Sequence, residues 1–112
     1  MQPLTVLAAF AVGIATMANV GARAQTVGHP AAGRSFALQV CTPCHLVAAD
    51  QISPKRFITA PDFPAIANTL AMTELALHVF LSNPHPTMPN LVLTPQEQDD
   101  VIAYIVSLRR KP

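Results

Sequence analysis

The chain of 112 residues carries 7 Lys and Arg against 6 Asp and Glu, a formal net charge of +1, and 51% of its residues are hydrophobic. A chain so close to neutral, with no basic stripe, is not built to bind nucleic acid, and electrostatic steering toward any partner is modest. Its length is that of one small domain, too short to raise a large apolar core of its own.

The first element is a nearly continuous apolar run from Leu4 to Val20, followed by Ala22-Arg23-Ala24. An apolar stretch closed by an A-x-A pattern is the layout of a secretory signal peptide. Residues 1–24 are therefore expected to be cleaved and residues 25–112 to form the mature domain in the periplasm. Met1-Gln2-Pro3 lacks the Lys or Arg usual in such a segment. The rival is an uncleaved anchor, since about 17 apolar residues stand at the short limit for spanning a bilayer; only then does the protein touch a membrane. Cleavage would also remove Arg23 and leave the remainder formally neutral.

A helix is predicted from about Pro30 to Val40, with Pro30 suited to the first turn. Gly33 inside it is costly unless another backbone must come close. Cys41-Thr42-Pro43-Cys44-His45 follows at once. Positions i, i+3 and i+4 share one face of a helical turn, so Cys41, Cys44 and His45 can converge on one flat object. C-x-x-C-H is the attachment signature of a c-type haem: two sulfurs bond to the porphyrin and the imidazole coordinates the iron. Pro43 lacks an N–H and its ring would clash with the carbonyl of Gln39. The helix is therefore expected to end near Val40, with the motif in a distorted turn.

Three other chemistries use similar residues. A redox dithiol wants a strand–helix context, and no strand-like run precedes Cys41. A zinc site needs further ligands; no other cysteine exists, though His29, His78 and His85 do. A disulfide across so short a loop gains little.

Residues 46–59 form a loop by composition, with a turn at Ser53-Pro54. Pro61-Asp62-Phe63-Pro64 opens a short helical piece through Ala67. From Thr73 to Leu81, the side chains of Leu75, Leu77, Val79, Phe80 and Leu81 are enough to cover a buried face. Asn83 to Pro89 holds too many prolines for regular structure. Thr94 and Glu97 then form a T-x-x-E capping box with Pro95 at the first helical position. Val101, Tyr104, Ile105 and Leu108 supply the apolar stripe of the last helix. Arg109, Arg110 and Lys111 lie at its C-terminal end, where the dipole favours cations.

The iron's second face could take Met72, Met88, His29, His78 or His85. Met88 stands between Thr87 and Pro89 in a proline-stiffened loop, where a thioether has little packing purpose. It is the preferred ligand, with His85 its rival. Phe63, Ile66, Leu70, Leu77, Phe80 and Leu91 are the expected lining of the haem.

With these parts in place, the sequence resembles the class I c-type cytochromes over essentially all of residues 25–112. The parts are Gly33 eight residues before the first cysteine, the C-x-x-C-H motif, Ala60-Pro61-Asp62-Phe63, Met88-Pro89-Asn90-Leu91 and the Val101-Ile102-Ala103-Tyr104-Ile105 helix. The resemblance implies an all-α fold of three to five short helices and loops wrapped around one covalent haem c. It implies that the first and last helices cross near Gly33, where Tyr104 and its neighbours approach. It implies that the Pro61 carbonyl accepts the Nδ1–H of His45 and so orients the ring. Where many relatives carry an aromatic residue four positions before the first cysteine, this chain has Ala37, with Phe36 beside it.

His45 and Met88 as axial ligands leave iron no open position for a substrate, so the expected function is electron transfer rather than catalysis. A freely diffusing periplasmic carrier docking transiently on redox partners is the first reading. A haem-bearing subunit of a larger dehydrogenase or oxidase is the second, and a haem sensor with a displaceable Met88 the third. Because the haem replaces much of the missing core, the haem-free polypeptide is expected to fold poorly.

Overall fold

The computed structural model describes residues 27–52, 60–88 and 91–111. The expected signal segment, the Ser53-Pro54 turn, Pro89 and Asn90 lie outside the described residues. The described residues form four helices: α1 (Pro30–Val40), α2 (Phe63–Ala67), α3 (Glu74–Ser82) and α4 (Pro95–Ser107). No strand occurs among the described residues, and no helix there is long and apolar enough to cross a membrane. The all-α expectation holds.

Local chemistry sets the helix ends. Pro30, Pro64 and Pro95 sit in the first turns of α1, α2 and α4, where a missing N–H costs nothing. Thr94 Oγ1 accepts from the Glu97 N–H at 3.2 Å, and Glu97 Oε2 accepts from the Thr94 N–H at 2.8 Å, completing the capping box. Thr73 caps α3 by accepting from the Ala76 N–H at 3.0 Å.

α4 is the hub, packed against α1, α2 and α3. Its run from Val101 to Ile105 is buried without interruption, wider than the stripe its periodicity predicts, because neighbours cover it on more than one side. The α1–α4 contact is the closest. A Cβ on Gly33 would overlap the Asp100 carbonyl, so the helices meet backbone to backbone there. The segment that approaches Gly33 is Asp100–Val101; Tyr104, expected at this crossing, lies one turn further along α4 and bonds elsewhere. Ala37, one turn after Gly33, is fully buried, and its small side chain keeps the helices close. Gly28, at φ +108°, abuts the Asp99 carbonyl in the same way.

Asp100 is a buried acid that the apolar pattern did not single out. It accepts from the His29 backbone N–H at 2.7 Å and from Gln96 Nε2 at 2.8 Å. His29 is the N-cap residue of α1 and makes no side-chain cap, so Asp100 serves α1 from another helix as Glu97 serves α4 from within. The His29 N–H foremost, then Gln96, holds the Asp100 carboxyl below the usual carboxylate range.

Two expectations change. Leu75 and Val79 are 72% and 56% exposed, and only Leu77 of the predicted face is buried. Residues two apart on a helix point to nearly opposite sides, so one-sided packing on α4 takes Leu77 and leaves the other two out. The cations at 109–111 also do not cap the last turn, because α4 ends at Ser107 with Leu108 as its C-cap. Arg109 instead donates to the Met72 carbonyl, and the Arg110 N–H donates to Asn68 Oδ1 at 2.9 Å. These bonds fasten the C-terminal tail to the α2–α3 connection.

Gly33→Ala is expected to lower stability by about 1–3 kcal/mol through overpacking, read by urea unfolding. Asp100→Asn is expected to lower the melting temperature at pH 7. A depressed carboxyl stabilises above its unfolded pKa and stops doing so as pH falls through its folded value. The variant should therefore lose less stability than the native protein between pH 7 and the acid range below about pH 4, measured by thermal melts across pH.

Candidate functional site

The last turn of α1 hands the chain directly to the motif. Cys41 is the C-cap of α1, and its N–H still donates to the Ala37 carbonyl at 2.8 Å. Pro43 offers no donor, and the turn closes differently from a helix: the N–H groups of Cys44 and His45 both reach the Cys41 carbonyl, at 3.1 and 2.9 Å. Thr42 Oγ1 returns to the Leu38 carbonyl at 3.0 Å, supplying a donor where the helical ladder stops. The distorted turn expected from Pro43 is present.

Two bonds clasp the motif to the start of α2. The Phe63 N–H donates to the Leu46 carbonyl at 2.9 Å. His45 Nδ1 lies 2.7 Å from the Pro61 carbonyl oxygen. A carbonyl only accepts, so Nδ1 carries the proton and Nε2 is left with the lone pair. The ring is braced edge-on by Phe63, with centroids 5.5 Å apart, and Phe63 in turn meets Tyr104 at 6.3 Å. Tyr104 donates its hydroxyl to the Val47 carbonyl at 2.9 Å. Val47 is fully buried, so α4 grips the chain two residues beyond His45.

Cys41, Cys44 and His45 open into a cavity of about 750 Å³, within the roughly 300–1,000 Å³ that holds cofactor-sized molecules. Its wall is mostly apolar. Phe63 and Ile66 come from α2, Leu77, Phe80 and Leu81 from α3, Val101 and Ile105 from α4, and Leu91 from the segment before α4. Met88 and His85 both line the same space. Among the expected lining residues, Leu70 is the exception: it is 95% exposed, in the turn after α2. Phe36 and Leu93 join the wall without having been predicted there, and Met72, weighed as a ligand but not as lining, joins it too. The sequence signal for Phe36 was its place beside Ala37: burial of Ala37 against α4 turns the adjacent residue toward the cavity.

The other candidate ligands divide by place. His29 Nδ1 lies 3.4 Å from Asp100, and His78 Nε2 lies 3.3 Å from Asp99; neither lines the cavity. His85 stacks on Phe80 with centroids 3.6 Å apart.

The electrostatics bear on the rival chemistries. Burial, with Cys44 adding to it, pushes the Cys41 thiol up to about 11. A redox dithiol needs the thiolate, and such sites depress the thiol pKa. Among the described residues no three His, Cys, Asp or Glu side chains gather as a metal site would require. Two thiols, one imidazole with Nε2 available, a thioether and an apolar wall around one cavity fit a covalently held haem.

The chain is 36% identical over 88 residues to "Cytochrome c-552" of Bradyrhizobium diazoefficiens, a match covering 79% of this chain and 80% of that protein. No family model and no solved structure matches it.

Tyr104→Phe leaves a buried carbonyl without its donor and is expected to cost about 1–3 kcal/mol. Denaturant unfolding should register the loss, with the packing of the ring retained.

Proposed function

The chain belongs to the small bacterial c-type cytochromes, and we propose that within them it is an exported, freely diffusing carrier of single electrons. Its fold is the all-α cytochrome c fold. Cys41 and Cys44 would hold one haem c through thioether bonds, with His45 and Met88 as the side chains that would ligate its iron. Bound there, the haem supplies one-electron Fe(III)/Fe(II) chemistry.

The observation that carries this reading is the gathering of Cys41, Cys44, His45 and Met88 around one apolar cavity. Each protein group has a separable task. The Pro61 carbonyl holds the Nδ1 proton of His45, which fixes the ring plane and makes Nε2 a better donor. Phe63 blocks rotation of that ring from the side. Met88 offers a soft, neutral sulfur, which favours the reduced metal relative to a second imidazole and so raises the potential. The apolar residues of α2, α3 and α4 keep water away and push in the same direction. With both faces occupied by side chains there is no substrate site, and the protein transfers electrons without catalysing a reaction.

Transient redox partners suit the near-neutral charge of the chain. Small, short-lived interfaces are the rule for such encounters. Export follows from the apolar segment and A-x-A pattern of residues 1–24, removed to leave a periplasmic protein of residues 25–112.

The decisive measurement is the visible spectrum of the oxidised, haem-loaded protein. A weak far-red sulfur-to-iron band is expected in the native protein and in His85→Ala, and its loss in Met88→Ala. If His85→Ala is the variant that loses its low-spin character, the distal assignment to Met88 is wrong.

A further inference from the structure

We propose that His85 is a reserve ligand for the coordination position taken by Met88, held back in the native protein by its stack on Phe80. The inference rests on the haem reading above and concerns what the protein does when the thioether is absent.

His85 and Met88 lie three residues apart and line the same cavity as His45. The chain's other two histidines outside the motif are spoken for, His29 beside Asp100 and His78 beside Asp99. The His85 ring makes no hydrogen bond or ion pair with the described residues; its one ring contact there is with Phe80, centroids 3.6 Å apart and planes inclined by 29°. Among the described residues both ring nitrogens are therefore uncommitted, in a half-buried residue lining an apolar cavity. That is a costly place for an imidazole without a partner.

The backbone limits how the ring can move. Pro84 and Pro86 hold φ on either side, and a residue preceding proline is confined to extended conformations. Exchange of ligands must then come from the side-chain torsions of His85, which a stacking contact opposes far less than an iron–imidazole bond rewards. Phe80 is 46% exposed while lining the cavity, so it stands at the rim and parks the ring there. An imidazole is a stronger donor to Fe(III) than a thioether, and Phe80 thereby decides in favour of Met88. The reserve state has two imidazole ligands and a lower reduction potential than the native one.

The test uses haem-loaded Met88→Ala and Met88→Ala/His85→Ala. The single variant is expected to stay low-spin without the far-red band and with a lowered potential, and the double variant to become high-spin. A high-spin single variant, or a double variant with the same spectrum as the single, overturns the proposal. Both outcomes leave the Met88 assignment standing, because that assignment is judged by the far-red band, kept in His85→Ala and lost in Met88→Ala. The parking role is read from Phe80→Ala: the far-red band should weaken while the spin state holds, and adding His85→Ala should restore the band. An unchanged band in Phe80→Ala removes Phe80 from the proposal.

Discussion

The backbone contact between Gly33 and Asp100–Val101 is the constraint on which the molecule is assembled. Any side chain on Gly33 would force α1 and α4 apart. Their closeness fixes where α1 lies against α4, and the residue that caps the end of α1 is Cys41. It also brings Asp100 to the N-terminus of α1, where the carboxylate caps a helix that has no cap of its own. The other end of the same helix pair is closed by Tyr104, whose hydroxyl holds Val47 just beyond the motif. A helix crossing and two polar bonds thus frame the cysteines and the histidine from both sides.

Within that frame the two sides of the cavity are held by different means. His45 is held at Nδ1 by a carbonyl and along its edge by Phe63. The segment carrying His85 and Met88 is irregular, and among the described residues the His85 ring is held by a ring contact to Phe80. This asymmetry has a physical logic. Cys41, Cys44 and His45 sit between α1 and α2 and inherit their order, whereas the segment from Asn83 to Met88 is shaped by its prolines.

The core itself is small. Apart from α4, each helix contributes only one or two buried residues, among them Ala37 in α1, Phe63 and Ala67 in α2 and Leu77 in α3. Leu75 and Val79 face outward, and much of the remaining apolar surface lines the cavity instead of packing on itself. A chain so organised gains stability from a macrocycle seated there, since burying apolar surface is the main favourable term in folding. Fold and cofactor are in this sense one structure.

Much of the local architecture was legible from residue order alone, because its causes act within about four residues. The bounds of α1, the capping box at Thr94 and Glu97, the break at Pro43 and the gathering of Cys41, Cys44 and His45 all depend on near neighbours. Tertiary structure decided which residues matter across distance. It placed Leu70 in solvent and Phe36 in the cavity, made Asp100 a cap for a remote helix, turned Arg109 and Arg110 toward the α2–α3 connection, and sorted His85 from His29 and His78. A periodic pattern states that a side chain is apolar and which face it shares. Whether that face meets another helix, a cofactor or water depends on what the fold sets opposite it.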